Sequence, residues 1–277
     1  MRRPSILTAA LLALPLSFVG IFFVLPLLGA VATSFGLPQF SIDSYRRLVD
    51  VGVYRSVFAK TIRVAFETTA ISLLLGYPTA CFVASLRPRL RTMAVGLIAL
   101  PFMLSVLVRN YVWMALLQDT GIINNWLRSW GLADQPIRLM YNELGVVIAM
   151  VNMLVPYIIF PVLSSLLAIP PDLRTASASL GAGRFETFLR VTLPLTGSGI
   201  AAGCLLTFIV ALGFYITPAM LGGSGQMMIA SLIAFNVREV LNWPFAFALA
   251  TSLLASTIVL YYAYRVVAPR GVALKAA

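Results

Sequence analysis

With 277 residues, 60% of them hydrophobic and only 10% charged, the chain is too poor in charge for a soluble globule and reads as a polytopic membrane protein. Its net charge of +11 fits basic loops facing anionic lipid and calls for no nucleic acid. The absence of histidine excludes His-based metal sites and His general bases, and the two cysteines, Cys81 and Cys204, lie in apolar runs as packed thiols.

A helix crossing the hydrocarbon core needs ~20 residues at 1.5 Å rise each. Six stretches reach that length, near 10–32, 64–86, 94–117, 144–168, 199–221 and 244–267. The first follows Arg2 and Arg3; it is too long for a signal peptide and no small-residue cleavage site follows it, so it is read as a span. Orientation follows from the short basic loops. Arg87, Arg89 and Arg91, then Arg174, Arg184 and Arg190, and finally Arg265, Arg270 and Lys275 all fall on the side of the N-terminus, which should be the cytoplasm. The third loop sets Arg128 and Arg138 against Asp119, Asp134 and Glu143 and is read as external.

The first loop, 33–63, disagrees on charge, since it carries Arg46, Arg47, Arg55, Lys60 and Arg63. It is kept outside because the other loops agree. Tyr45, Leu48, Val49, Val53, Val57 and Ile62 would let it lie on the membrane surface as amphipathic helix. The third loop repeats that pattern with Ile122, Ile123, Trp126, Leu127 and Trp130, which suits either an interfacial anchor or a landing surface for an external protein.

Ionisable groups inside the spans are few. Glu67 lies near the external end of the second span and is within one turn of Arg63. Arg109 lies about two-thirds along the third, beside Tyr111 and Trp113, where an arginine at a helix centre costs roughly 2.5–3.5 kcal/mol. Snorkelling to the outer interface and lining a solute path both answer that cost. Asn152, Pro156 and Pro161 are expected to interrupt the fourth span, and Gly213 and Pro218 the fifth. Tyr215, Thr217 and Phe208, near the second of these breaks, are candidates for the solute pathway, as are Glu67, Arg109, Tyr111, Trp113, Asn152 and Tyr157.

The longest polar interruption in the second half is 169–200. Pro170-Pro171-Asp172 opens it, with an acid suited to cap a helix start. Leu173, Ala176, Ser177 and Leu180 share a helical face, Gly181-Ala182-Gly183 breaks the helix, and Phe185, Phe188 and Leu189 form a second apolar face beside Arg184, Glu186 and Arg190. Leu193-Pro194 ends the second helix. Two short amphipathic helices at a glycine corner make a compact knob between spans.

Leu180-Gly181-Ala182-Gly183 followed by Phe188-Leu189-Arg190-Val191-Thr192-Leu193-Pro194-Leu195 resembles the EAA loop of ABC importer permeases. Thr175-Ala176-Ser177 stands where that family usually has Glu-Ala-Ala, so the glutamate is missing. Arg109-Asn110-Tyr111-Val112-Trp113, Gly76-Tyr77-Pro78-Thr79-Ala80, Gly121-Ile122-Ile123-Asn124, Pro156-Tyr157 and the stretch from Gly213 to Gly223 resemble the spermidine/putrescine branch. The resemblance implies an all-α, six-helix type I importer permease of the MetI-like fold in a bacterial inner membrane, with both termini cytoplasmic. It divides the chain into an N-terminal span and external segment (1–63), a core with its coupling loop (64–267) and a cytoplasmic tail (268–277). It also implies two ATPase subunits that bind ATP and Mg, a second similar permease (a homodimer as fallback) and a periplasmic solute-binding protein. Thr175, Ala176, Leu180, Gly181, Ala182, Arg184, Phe185, Phe188, Arg190 and Pro194 would then contact the ATPase. No Gly-x-x-x-x-Gly-Lys loop is present, so energy would arrive through that partner and the chain itself would not be an enzyme. The competing class is a stand-alone secondary transporter or channel, which would show embedded charges or inverted repeats.

Overall fold

The computed structural model describes residues 6–267; Arg2, Arg3, Arg270 and Lys275 lie outside them. The described chain is helical throughout, with no strand. In order, the helices are α1 (Ile6–Val19), α2 (Leu25–Ser34), α3 (Asp43–Asp50), α4 (Gly52–Ser85), α5 (Pro88–Ala99), α6 (Val106–Leu117), α7 (Ile122–Ser129), α8 (Glu143–Leu167), α9 (Pro171–Ser179), α10 (Arg184–Thr187), α11 (Leu193–Leu195), α12 (Gly197–Leu212), α13 (Ile216–Leu221), α14 (Ile229–Arg238) and α15 (Trp243–Val267). Among the described residues four helices are long and apolar enough to cross a membrane, and six spans result if each of two bent pairs counts as one.

The fourth and sixth predicted spans coincide with α8 and α15 to within a residue or so. Three expectations need correction. The third stretch is not one helix. Leu104 and Ser105 both leave the helical region, and Pro88–Met103 meets Val106–Ser129 at 94°. Arg109 therefore lies in the second turn of a new helix, not two-thirds along an unbroken one. The fourth stretch is uninterrupted: α8 runs through Pro156 and Pro161. Each proline forfeits one helical bond, and burial of α8 against its neighbours on several sides outweighs that loss, with 67% of its most apolar window buried. The second span begins at Gly52, so Arg55, Lys60 and Arg63 belong to its helix and not to a loop. Its 34 residues reach about 51 Å, well beyond a hydrocarbon core of about 30 Å.

The fifth stretch does break where Gly213 stands. The 16 residues of α12 span only about 24 Å, and α13 follows after residues 213–215. Between α13 and α15, where the sequence reads as plain loop, lies α14.

The chain divides into two compact units. The smaller comprises the chain up to Ser56 together with Leu232–Ala255. Within it Phe35 stacks on Phe40 at 5.8 Å, the Tyr45 hydroxyl meets Ser34 at 2.7 Å, and the Arg47 guanidinium lies over the rings of Tyr54 and Phe245.

The larger unit, Val57–Ser231 with the chain from Ser256, holds the main core. Small residues set its helix spacing. A Cβ on Gly203 of α12 would lie 3.2 Å from the Cα of Ile158, and one on Gly199 only 2.6 Å from the Pro161 carbonyl. Gly199 and Gly203 are four apart, the small-xxx-small spacing that lets membrane helices approach closely. On another side of Ile158, a Cβ on Gly76 of α4 would lie 3.0 Å from its Cγ2. Ile158 (0% exposed) is thus gripped between two glycine surfaces, with Ala80, Val83, Ile159 and Val162 around it and Cys81 and Cys204 packed at the margin. Neither cysteine is in a disulfide.

Candidate coupling segment and transport path

The segment 169–200 folds as two short helical arms. Pro171 opens α9, and Asp172 lies inside its first turn, where its charge meets the positive helix end; the capping position expected of it is not the one it takes. At the other end the Ala182 N–H donates to the Ser177 carbonyl at 3.1 Å, and Gly181 between them has φ +82°. This is a Schellman closure, which places a left-handed residue after the helix and favours glycine there. The second arm runs from α10 through a π-helical turn (Phe188–Thr192) to α11. The Ser177 and Thr187 hydroxyls, 2.9 Å apart, fasten one arm to the other.

The second arm is seated on the core at its far end. Phe188 packs edge-on against Tyr77 at 5.9 Å, and the Tyr77 hydroxyl lies 3.1 Å from the Oγ1 of the fully buried Thr196. A cavity of about 360 Å³ lies under the corner, lined by Cys81, Ala84, Ser85, Leu166, Ala182, Arg184, Thr187, Phe188 and Thr192.

The corner itself faces away from the core. Leu180 is 88% exposed and Phe185 74%, and Thr175, Ala176, Gly181, Arg184, Arg190 and Pro194 are exposed too. Arg190 pairs with Glu186 at 3.2 Å on the surface, and the Thr175 hydroxyl turns back to the Pro171 carbonyl at 3.5 Å. Of the ten residues named from sequence, only Ala182 and Phe188 are half-buried.

The nine pathway candidates fall in separate places. Five gather around α6. The Trp113 indole N–H donates to the Asn152 Oδ1 at 3.2 Å, joining α6 to α8. Thr217 is fully buried and donates to the Asn110 Oδ1 at 2.8 Å, while Asn110 donates to the Val106 carbonyl at 3.0 Å. Thr217 therefore faces the interior of this chain and is spent on joining α13 to α6. Arg109 is half-buried, its Nε enclosed without a hydrogen-bond partner among the described residues, and Tyr111 is 62% exposed.

The other four lie elsewhere. Tyr157 packs edge-on against Phe102 at 5.3 Å. Tyr215, half-buried, precedes α13 at the break. Phe208 lines an almost wholly apolar groove of about 580 Å³ with Phe66, Leu73, Leu260 and Tyr264 among others, a surface suited to hydrocarbon and not to a polar solute. Glu67 is 3.9 Å from Arg63, whose guanidinium makes its closer bond to Glu143 at the start of α8. Lys60 donates to the Gly225 carbonyl at 2.6 Å, and the Ile229 N–H to the buried Thr61 hydroxyl at 2.9 Å. The end of α4 farthest from the 169–200 segment is thus tied to α8 and to the 225–229 turn.

Asn110 and Asn124, both 0% exposed, have no role from sequence beyond their place in the two resembling stretches. Asn110 follows an arginine and Asn124 precedes a second asparagine, so nothing local marks either as buried.

Residues 72–271 match the family described as the binding-protein-dependent transport system inner membrane component. The spermidine/putrescine transport system permease protein PotB of Salmonella typhimurium (strain SL1344) is 34% identical over 220 residues, covering 79% of this chain and 76% of that protein. PotB of Haemophilus influenzae is 34% identical over 225 residues, 80% and 78% of the two chains. Among solved structures, a chain of a bacterial alginate ABC transporter in complex with an alginate pentasaccharide-bound periplasmic protein has a TM-score of 0.73 at 18% identity, covering 93% of this chain and 92% of that one, which shows the fold. On its helical architecture, its 169–200 segment and these matches, the chain belongs to the family of binding-protein-dependent transport system inner membrane components.

Proposed function

We propose that the chain is a permease subunit of an ATP-driven importer and that residues 171–195 are the lever through which a separate ATPase moves its helices. The observation that carries this is the pair of large apolar side chains, Leu180 and Phe185, left 88% and 74% exposed, the most exposed apolar side chains of the segment. An exposed pair on a corner closed by Gly181 and pinned by Ser177–Thr187 is a preformed docking surface. Its other end is anchored at Tyr77 and Thr196, so a push at the corner is passed to α4 and α12.

In this reading two ATPase subunits bind ATP and Mg, close, and drive the spans between inward-facing and outward-facing states. A periplasmic binding protein delivers the solute to the outward state. One chain with six spans encloses little, so a second permease completes the path, as a similar subunit or as a second copy. Both termini and the 169–200 segment lie on the cytoplasmic side. The names of the PotB relatives make spermidine and putrescine the first solutes to try. The path itself is assigned to the face of α6 and α8 bearing Arg109, Tyr111, Trp113 and Asn152.

Purification of the tagged chain from its native membrane tests this. An ATPase subunit should come with it, and spermidine should accumulate in proteoliposomes only when ATP and the binding protein are supplied. Uptake by the chain alone, without a nucleotide-hydrolysing subunit, would contradict the reading.

A further inference from the structure

The helix α7 is held by one face and bare on the other. Asn124, 0% exposed, uses its whole carboxamide: Nδ2 donates to the Gln118 carbonyl at 3.1 Å and the Ile137 carbonyl at 3.0 Å, and Oδ1 accepts the Ile137 N–H at 2.8 Å. Gly121 makes the approach from α6 so tight that a Cβ there would lie 2.5 Å from the Leu116 carbonyl. These contacts fix the rotation of α7, and with it the direction of its opposite face. That face carries Ile122, Trp126 and Trp130, which are 53%, 63% and 73% exposed, and the two indoles stack at 6.3 Å and 12°. The structure turns Ile123 and Leu127 partly inward, so the exposed stripe is narrower than the full apolar set in the sequence.

Two observations say what covers this stripe. Four residues link α6 to α7, a reach of at most about 14 Å, and α8 begins the next span after residue 142. The start of α7 is therefore tethered close to an apolar membrane segment, while 13 residues, 130–142, lead from its end to α8. The stripe itself carries no charge: its neighbours Asn125 and Ser129 bond to the carbonyls of Thr120 and Trp126, and Arg128, the one ionic side chain of α7, is exposed but stands two residues from each indole, on the other side of the helix. A neutral surface of two indoles and an isoleucine matches the boundary between lipid headgroups and acyl chains, where an indole buries its ring and keeps its N–H near water.

We propose that Ile122, Trp126 and Trp130 are inserted in the bilayer interface, at the membrane face remote from the 169–200 segment. Their occupant is lipid. The insertion holds the α6–α8 connection, and so the broken third span, at a set depth.

The test compares Trp fluorescence of the wild-type assembly with that of W126F/W130F, in nanodiscs of phosphatidylethanolamine and phosphatidylglycerol. The difference cancels Trp113, Trp243 and any partner subunit. With 6,7-dibrominated acyl chains the difference signal should fall by about half or more, while aqueous iodide leaves most of it. A difference signal indifferent to bromine and lost to iodide overturns the proposal, and so does one that iodide reaches until a soluble binding protein is added. Should the double variant not assemble, W126F and W130F taken singly give the same reading, since each keeps an aromatic ring on an exposed position.

Discussion

Replacing Gly181 with valine isolates the conformational part of the lever. A Cβ at this position meets nothing within 4 Å, so the substitution brings no clash. It does force an L side chain to φ +82°, in the left-handed region. That costs about 1–2 kcal/mol, with β-branched residues at the upper end. One to two kcal/mol is a factor of roughly 5–30 in the population of the closed corner. Asparagine tolerates the left-handed region and should cost less. Gly183 is the control: its φ is −67° and its Cβ would also meet nothing, so Gly183→Ala should be nearly silent. ATP hydrolysis stimulated by loaded binding protein in proteoliposomes, corrected for the amount of permease inserted, is the assay. Stimulation should rank wild type and Gly183→Ala together, then Gly181→Asn, then Gly181→Val, with the last reduced by up to the factor above. Full stimulation in Gly181→Val, or equal loss in Gly183→Ala, would show that the corner is not the rigid element.

Other substitutions test the packing. Gly199→Val should fail to assemble, because its Cβ would press within 2.6 Å of backbone oxygen at Pro161, while Gly203→Ala, at 3.2 Å, should lose only part of its thermal stability in detergent. Thr217→Val leaves the buried Asn110 without its partner and should lower stability by about 0.6–1.7 kcal/mol, the range for hydrogen bonds between membrane helices; in Asn110→Leu/Thr217→Val the loss should be less than additive. Arg63→Gln should cost below about 1 kcal/mol, since the Arg63, Glu67 and Glu143 side chains are 57%, 40% and 23% exposed, and the effect should shrink in high salt.

Much of this architecture is legible in the sequence because hydropathy over twenty residues is a strong signal and glycine at a helix end a specific one. The α8 and α15 boundaries, the Gly181 corner and the α7 stripe all came from such local patterns. Direction did not. The run 94–117 is apolar throughout, and nothing in its hydropathy says that the chain turns through 94° at Leu104–Ser105; Pro101, just upstream, was the clue. Prolines misled in α8 because tertiary burial outweighs two lost backbone bonds, a balance no local rule contains. Arg55, Lys60 and Arg63 lowered hydropathy without breaking helix, so α4 started earlier than composition indicated. The solute path was least legible. Thr217 and Phe208 share a helical neighbourhood in sequence, yet one is bonded inside the core and the other lines a greasy groove.

The central claim is that the exposed corner of the 169–200 segment bears on an energy-supplying subunit. Phe185→Cys, in a chain with Cys81 and Cys204 changed to serine, places a thiol at its most projecting aromatic. Cross-linking in native membranes should join that thiol to a nucleotide-hydrolysing protein, and a membrane-impermeant thiol reagent added outside intact cells should not reach it. Labelling from outside, with no such cross-link, would contradict the account.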